Sequence, residues 1–136
     1  MRILLLLDQY HSPQTEEMLC AVDFVIVYGK TFEIADEDLN GDNPYKFSEF
    51  VSRKSKVKAA LRELVLNGYA CPTQKNSCIV YSITETGSQF CKGMENEYAK
   101  TYSEIAEKAV NIFAGHSEKS INEAINKYSA KSARKE

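Results

Sequence analysis

Apolar residues form two dense blocks near the start of the chain and then thin into stripes. The first block, Ile3-Leu4-Leu5-Leu6-Leu7, stops at Asp8, so residues 2–10 read as a short apolar helix. Ser12-Pro13 then has the pattern of a helix start, with serine as N-cap and proline at the first helical position. Glu16 and Glu17 follow where the helix dipole favours acid. Met18, Leu19, Val22, Val25, Ile26 and Tyr28 carry this second helix to a stop near Gly29. It is apolar around most of its circumference, the pattern of a helix buried on several sides.

Residues 31–46 read as a long loop. Asn40-Gly41 and Asn43-Pro44 are turn signals, and Glu33, Asp36, Glu37, Asp38 and Asp42 make it acidic. The spacing of a calcium loop is absent, so an acidic, solvated segment is expected. Beyond it, Phe47, Phe50, Val51, Val57, Ala60, Leu61, Leu64 and Val65 recur at helical spacing over 47–67. That helix could run in two pieces, with Ser55 capping the second and Gly68 closing it as a C′ residue.

Tyr69–Pro72 and Cys78–Ile83 are β-prone runs around the polar tip 73–77, which predicts a hairpin. Pro72 cannot donate to a ladder, so its strand must be an edge or start late. Thr84-Glu85-Thr86-Gly87 begins another helix, with Thr84 as cap. Phe90, Met94, Tyr98, Tyr102, Ile105, Ala109, Ile112 and Phe113 continue at helical spacing until Gly115-His116-Ser117 breaks the run. Ser117 caps a last short helix through Tyr128, and the polar tail from Ser129 is expected to fray. The Tyr98 and Tyr102 stripe reads as core or dimer surface. The order of elements predicts a mainly α chain with a small β-hairpin: a winged helix-turn-helix over 1–92 with additional C-terminal helices over 93–136.

Composition adjusts this picture little. The chain has 136 residues, 43% apolar and 26% charged, enough for a core without metals or disulfides. Its net charge of −2 argues against a stand-alone, non-specific nucleic-acid binder. No apolar run approaches the ~18 residues of a membrane helix. The opening run is too short for a secretory signal, so a cytoplasmic location without membrane association is expected.

Candidate chemistry is sparse. Cys20, Cys71, Cys78 and Cys91 form no CxxC pair, and His11 and His116 stand far apart, so neither a metal nor another cofactor is expected. The cysteines read as buried, reduced thiols, although Cys71 and Cys78 could face each other across the hairpin. There is no phosphate loop, nucleophile elbow or HExxH, and a cysteine paired with either histidine would lack an orienting group. No catalysis is expected. The remaining candidate is a basic strip of Arg53, Lys54, Lys56, Lys58 and Arg62 on the helix before the hairpin. It could touch DNA or a partner, or be a solvated face beside Glu63. The hairpin tip carries a single cation, Lys75, which weighs against phosphate contacts there.

Several short motifs also occur together. They are Leu6-Leu7-Asp8-Gln9-Tyr10, Leu19-x-x-Val22-Asp23-Phe24-x-x-Val27-Tyr28-Gly29, Asn43-Pro44-Tyr45, a charged helix from Ser52-Arg53-Lys54 to Leu66, and a Thr-Glu-x-Gly turn. Over about residues 2–92 the chain resembles the small middle components of bacterial ABC-three-component systems, and in layout the accessory subunit of Lamassu anti-phage defence. The resemblance implies a non-catalytic adaptor between an SMC-like or Rad50-like ATPase and an effector such as a nuclease. DNA would be engaged through the complex. It also implies structural or partner-facing roles for Asn43, Pro44, Tyr45 and Arg53. A rival expectation is a homodimeric winged-helix transcription regulator, with the basic strip on DNA and helix 95–113 as the dimer stripe.

Overall fold

The computed structural model describes residues 2–10, 12–29, 32, 34–35, 46–94 and 96–134. Among these residues six helices and a three-stranded antiparallel sheet follow in the order α1 (Arg2–Gln9), β1 (Gln14–Thr15), α2 (Glu16–Val27), α3 (Lys46–Leu66), β2 (Ala70–Lys75), β3 (Cys78–Ile83), α4 (Glu85–Lys92), α5 (Glu97–Ile112) and α6 (Glu118–Arg134). The chain is thus mainly helical with a small sheet.

The two apolar blocks become the centre of the molecule. Ile3 to Leu7 and Leu19 to Val27 are all buried, as an apolar circumference requires. Helix α1 packs against α2, α4 and α5, and α2 packs against α3, α5 and α6. The C-terminal helices therefore share the core, contributing Tyr102, Ile105, Ala109, Ile121 and Ile125.

The start of α2 differs from the Ser12-Pro13 expectation. The helix begins at Glu16, and its cap is Thr15, whose hydroxyl accepts from the Met18 N–H at 3.1 Å. Gln14 and Thr15 pair instead with Tyr81 and Val80, forming a short strand at one side of β3. A sheet contact with residues far along the chain overrides the local proline signal. The Thr15 hydroxyl also donates to the Glu118 carboxylate, which ties α2 to the first turn of α6.

Helix α3 is one continuous element, not two, and Ser55 does not cap it: its hydroxyl donates to the Ser52 carbonyl at 3.0 Å. Its buried stripe is Arg53, Val57, Leu61 and Leu64. It ends in a Schellman motif, with the Gly68 N–H on the Val65 carbonyl at 3.1 Å and the Tyr69 N–H on the Leu64 carbonyl at 2.9 Å. Gly68 has φ +79°, the left-handed conformation this cap needs.

The sheet order is β1-β3-β2, which leaves Pro72 on an edge strand, where its missing N–H costs no ladder bond. The hairpin turn is tighter than the tip 73–77 expected from composition. Lys75 pairs with Cys78, and Asn76 and Ser77 alone make the turn with φ +48° and +72°. That double positive φ is the type I′ pattern that matches strand twist. Cys71 lies opposite Ser82, so the two hairpin cysteines do not face each other, and both are exposed. Cys20 and Cys91 are buried, as expected of packed thiols.

Thr84-x-x-Gly87 locks the hairpin to α4. The Thr84 hydroxyl accepts from the Gly87 N–H at 3.0 Å and donates to the Gly68 carbonyl at 2.7 Å. A Cβ on residue 87 would sit 2.2 Å from the Tyr69 carbonyl oxygen, so glycine is required by close approach. The expected helical run from Phe90 to Phe113 breaks between α4 and α5, where Asn96 caps α5 by accepting from the Ala99 N–H at 2.8 Å. Ser117 caps α6, and α6 continues to Arg134 where a frayed tail was expected.

Candidate functional site: a charged groove around Asp23

Asp23 is a carboxylate set in the apolar wall of α2, only 1% exposed. Burial of an unpaired carboxylate would be prohibitive, so its partners are obligatory. Three helices supply them. From α1, Arg2 donates through Nε to Oδ1 at 3.2 Å and through Nη2 to Oδ2 at 3.4 Å. From α3, Arg53 donates through Nη1 to Oδ2 at 3.3 Å. From α5, the Tyr102 hydroxyl donates to Oδ1 at 2.7 Å. Both carboxylate oxygens are therefore occupied.

The neighbourhood favours the charged form of Arg2. Burial opposes the charge on Arg2, but Asp23 and hydrogen bonds with Tyr98 and Asp23 outweigh it and raise its pKa. The Arg53 guanidinium carbon lies 5.8 Å from the ring centroids of Phe24 and Tyr28, within cation–π range. Tyr102 is pushed well above the ordinary 10.0 by burial and by Asp23, so its hydroxyl stays protonated as a donor.

Above this node opens a cavity of about 560 Å³, lined by Arg2, Ile3, Asp23, Arg53, Lys56 and Val57, with Ala60 and Tyr98 at its walls. Among the described residues its lining holds three cations and one anion. The arrangement can bind an anion and hold helices together. Among the described residues no group of His, Cys, Asp and Glu could hold a metal ion. His116 is exposed, with Nδ1 2.9 Å from the Ser120 hydroxyl oxygen, and His11 lies outside the described residues.

The structure divides the basic strip. Arg53 faces inward to Asp23 and is 9% exposed, so it is not part of an outward strip. Lys56 is exposed at the groove. Lys54, Lys58 and Arg62 are exposed and do not line it. Asn43, Pro44 and Tyr45, with most of the acidic loop, lie outside the described residues. Asp23, Arg2 and Tyr102 were not candidates from sequence. In the sequence Asp23 interrupts the apolar run Leu19–Val27, Arg2 opens the run Ile3–Leu7, Tyr102 stands on the helical stripe of α5, and Arg53 stands four residues before Val57 on the core stripe of α3.

Among the described residues, no helix is long and apolar enough to cross a membrane. A family model described as ABC-three component (ABC-3C) system Middle Component 2 matches residues 1–135. No curated protein and no solved structure matches.

Proposed function

Because this chain belongs to the middle component 2 family of ABC-three-component systems, a component of a multi-subunit assembly, we propose that it is a non-catalytic adaptor. In this reading it bridges an SMC-like or Rad50-like ATPase and an effector, such as a nuclease, in a bacterial anti-phage complex in the cytoplasm. Hydrolysis and cleavage belong to the partners. The family match over nearly the whole chain is the observation that carries the reading.

A winged-helix assignment for the first part of the chain is supported by the order α1-β1-α2-α3-β2-β3 and by sheet order β1-β3-β2. Within it, Lys54, Lys58 and Arg62 are the residues we assign to contact with DNA or a partner, and Asn43, Pro44 and Tyr45 to a partner-facing loop. One observation favours a second reading, a homodimeric transcription regulator: these three cations are exposed on the helix that precedes the hairpin.

The test is an affinity purification of the tagged chain from its own cells, at moderate salt with nuclease added, followed by mass spectrometry. The adaptor reading expects a large coiled-coil ATPase together with an effector-like protein. Recovery of the chain alone, as a dimer that binds duplex DNA with steep salt dependence, would overturn it in favour of the regulator.

A further inference from the structure

Among the described residues, the charges around Asp23 do not cancel. One carboxylate, with both oxygens occupied, faces two guanidinium groups. Arg53 spends Nη1 on it, and Arg2 spends Nε and Nη2. Each guanidinium has five N–H donors. Most of the Arg53 and Arg2 donors are therefore not used by Asp23. Lys56 adds a third cation at the mouth of the same cavity. The Arg53 side chain is only 11% exposed, so its charge is poorly screened by water. Arg2 and Ile3 also form the first turn of α1, where the helix dipole is positive.

We propose that this groove is a socket for a carboxylate-bearing segment of a partner protein, whose Glu or Asp side chain engages Arg53, Arg2 and Lys56. Planar guanidinium groups match the geometry of a carboxylate. A cavity of about 560 Å³ is far larger than one small anion, and Ile3, Val57 and Ala60 give it apolar walls. Those walls suit the aliphatic residues flanking an acidic side chain and offer nothing to a hydrated phosphate. The proposal rests on the adaptor reading, since it specifies what such an adaptor would hold.

The probe is a fluorescein-labelled peptide of alternating leucine and glutamate, titrated into the full chain by anisotropy. A leucine–glutamine peptide and inorganic phosphate serve as comparisons. Saturable binding of the acidic peptide is expected. Lys56→Glu, an exposed change that spares the Asp23 node, should weaken it about ten- to hundredfold. Lys108→Glu, exposed on α5 and outside the groove, should leave it unchanged. Equal loss in both variants, equal binding of the glutamine peptide, absence of saturable binding, or displacement by phosphate at matched concentration would each overturn the socket. The same two variants in the affinity purification separate the two claims. If the wild-type chain recovers partners and Lys56→Glu recovers them equally, the socket fails and the adaptor reading stands. If the wild-type chain recovers no partner, the adaptor reading itself fails.

Discussion

At Asp23 one carboxylate accepts from Arg2, Arg53 and Tyr102, and each donor comes from a different helix. Hydrogen bonds to a charged group are among the stronger ones, and this one is short and buried. Tyr102→Phe keeps the ring in the core and removes only the donor. We expect it to lower stability by about 1.5–3 kcal/mol in urea denaturation, with an unchanged m-value. The buried acids predict a second behaviour. Burial raises Cys20 and Cys91 from 9.0 to about 11 and Tyr10 from 10.0 to about 12, and burial with Asp23 raises Tyr102 well above its ordinary value. A folded state that holds these protons more tightly than the unfolded chain is fully stabilised by them below the unfolded values. That stability is lost as pH rises through the folded values. The melting temperature should therefore fall as pH climbs from about 9 towards 12, and Tyr102→Phe should flatten the decline above pH 10.

The elements were legible where their causes are local. Two β-prone runs around a polar tip and Pro72 marked the hairpin and its edge, Gly68 marked the end of α3, and Thr84 marked the start of α4. The two-residue β1 was not legible, because its reason is a pairing with Tyr81 and Val80 far along the chain. The proline signal before it is genuine chemistry that tertiary pairing outweighs. The same limit hid the Asp23 node: periodicity marks the core face of α3, but nothing local says that Arg53 reaches a carboxylate on α2. The turn yields a prediction at this scale. Ser77 has φ +72° with no glycine to relieve it. Ser77→Gly creates the Asn-Gly pair favoured in type I′ turns and should raise stability by about 1 kcal/mol, read as a higher melting temperature.

On the scale of the molecule, α5 and α6 lie over α1 and α2 and supply core residues, including Tyr102. Removing 93–136 would uncover the apolar surface of α1 and α2 and take a donor from Asp23. We expect a chain ending at residue 92 to be largely insoluble, and its soluble fraction to lack a cooperative thermal transition by circular dichroism. The C-terminal helices thus belong to the frame that positions the groove. Arg2 on α1, Asp23 on α2 and Arg53 on α3 place the cation-lined groove within that frame. The most direct measurement is native mass spectrometry of the affinity-purified chain from its own cells. The account predicts defined assemblies in which the 15.4 kDa chain is joined in fixed ratio to an ATPase subunit and a second protein. A spectrum containing only the chain's own mass, or twice that mass, would contradict it.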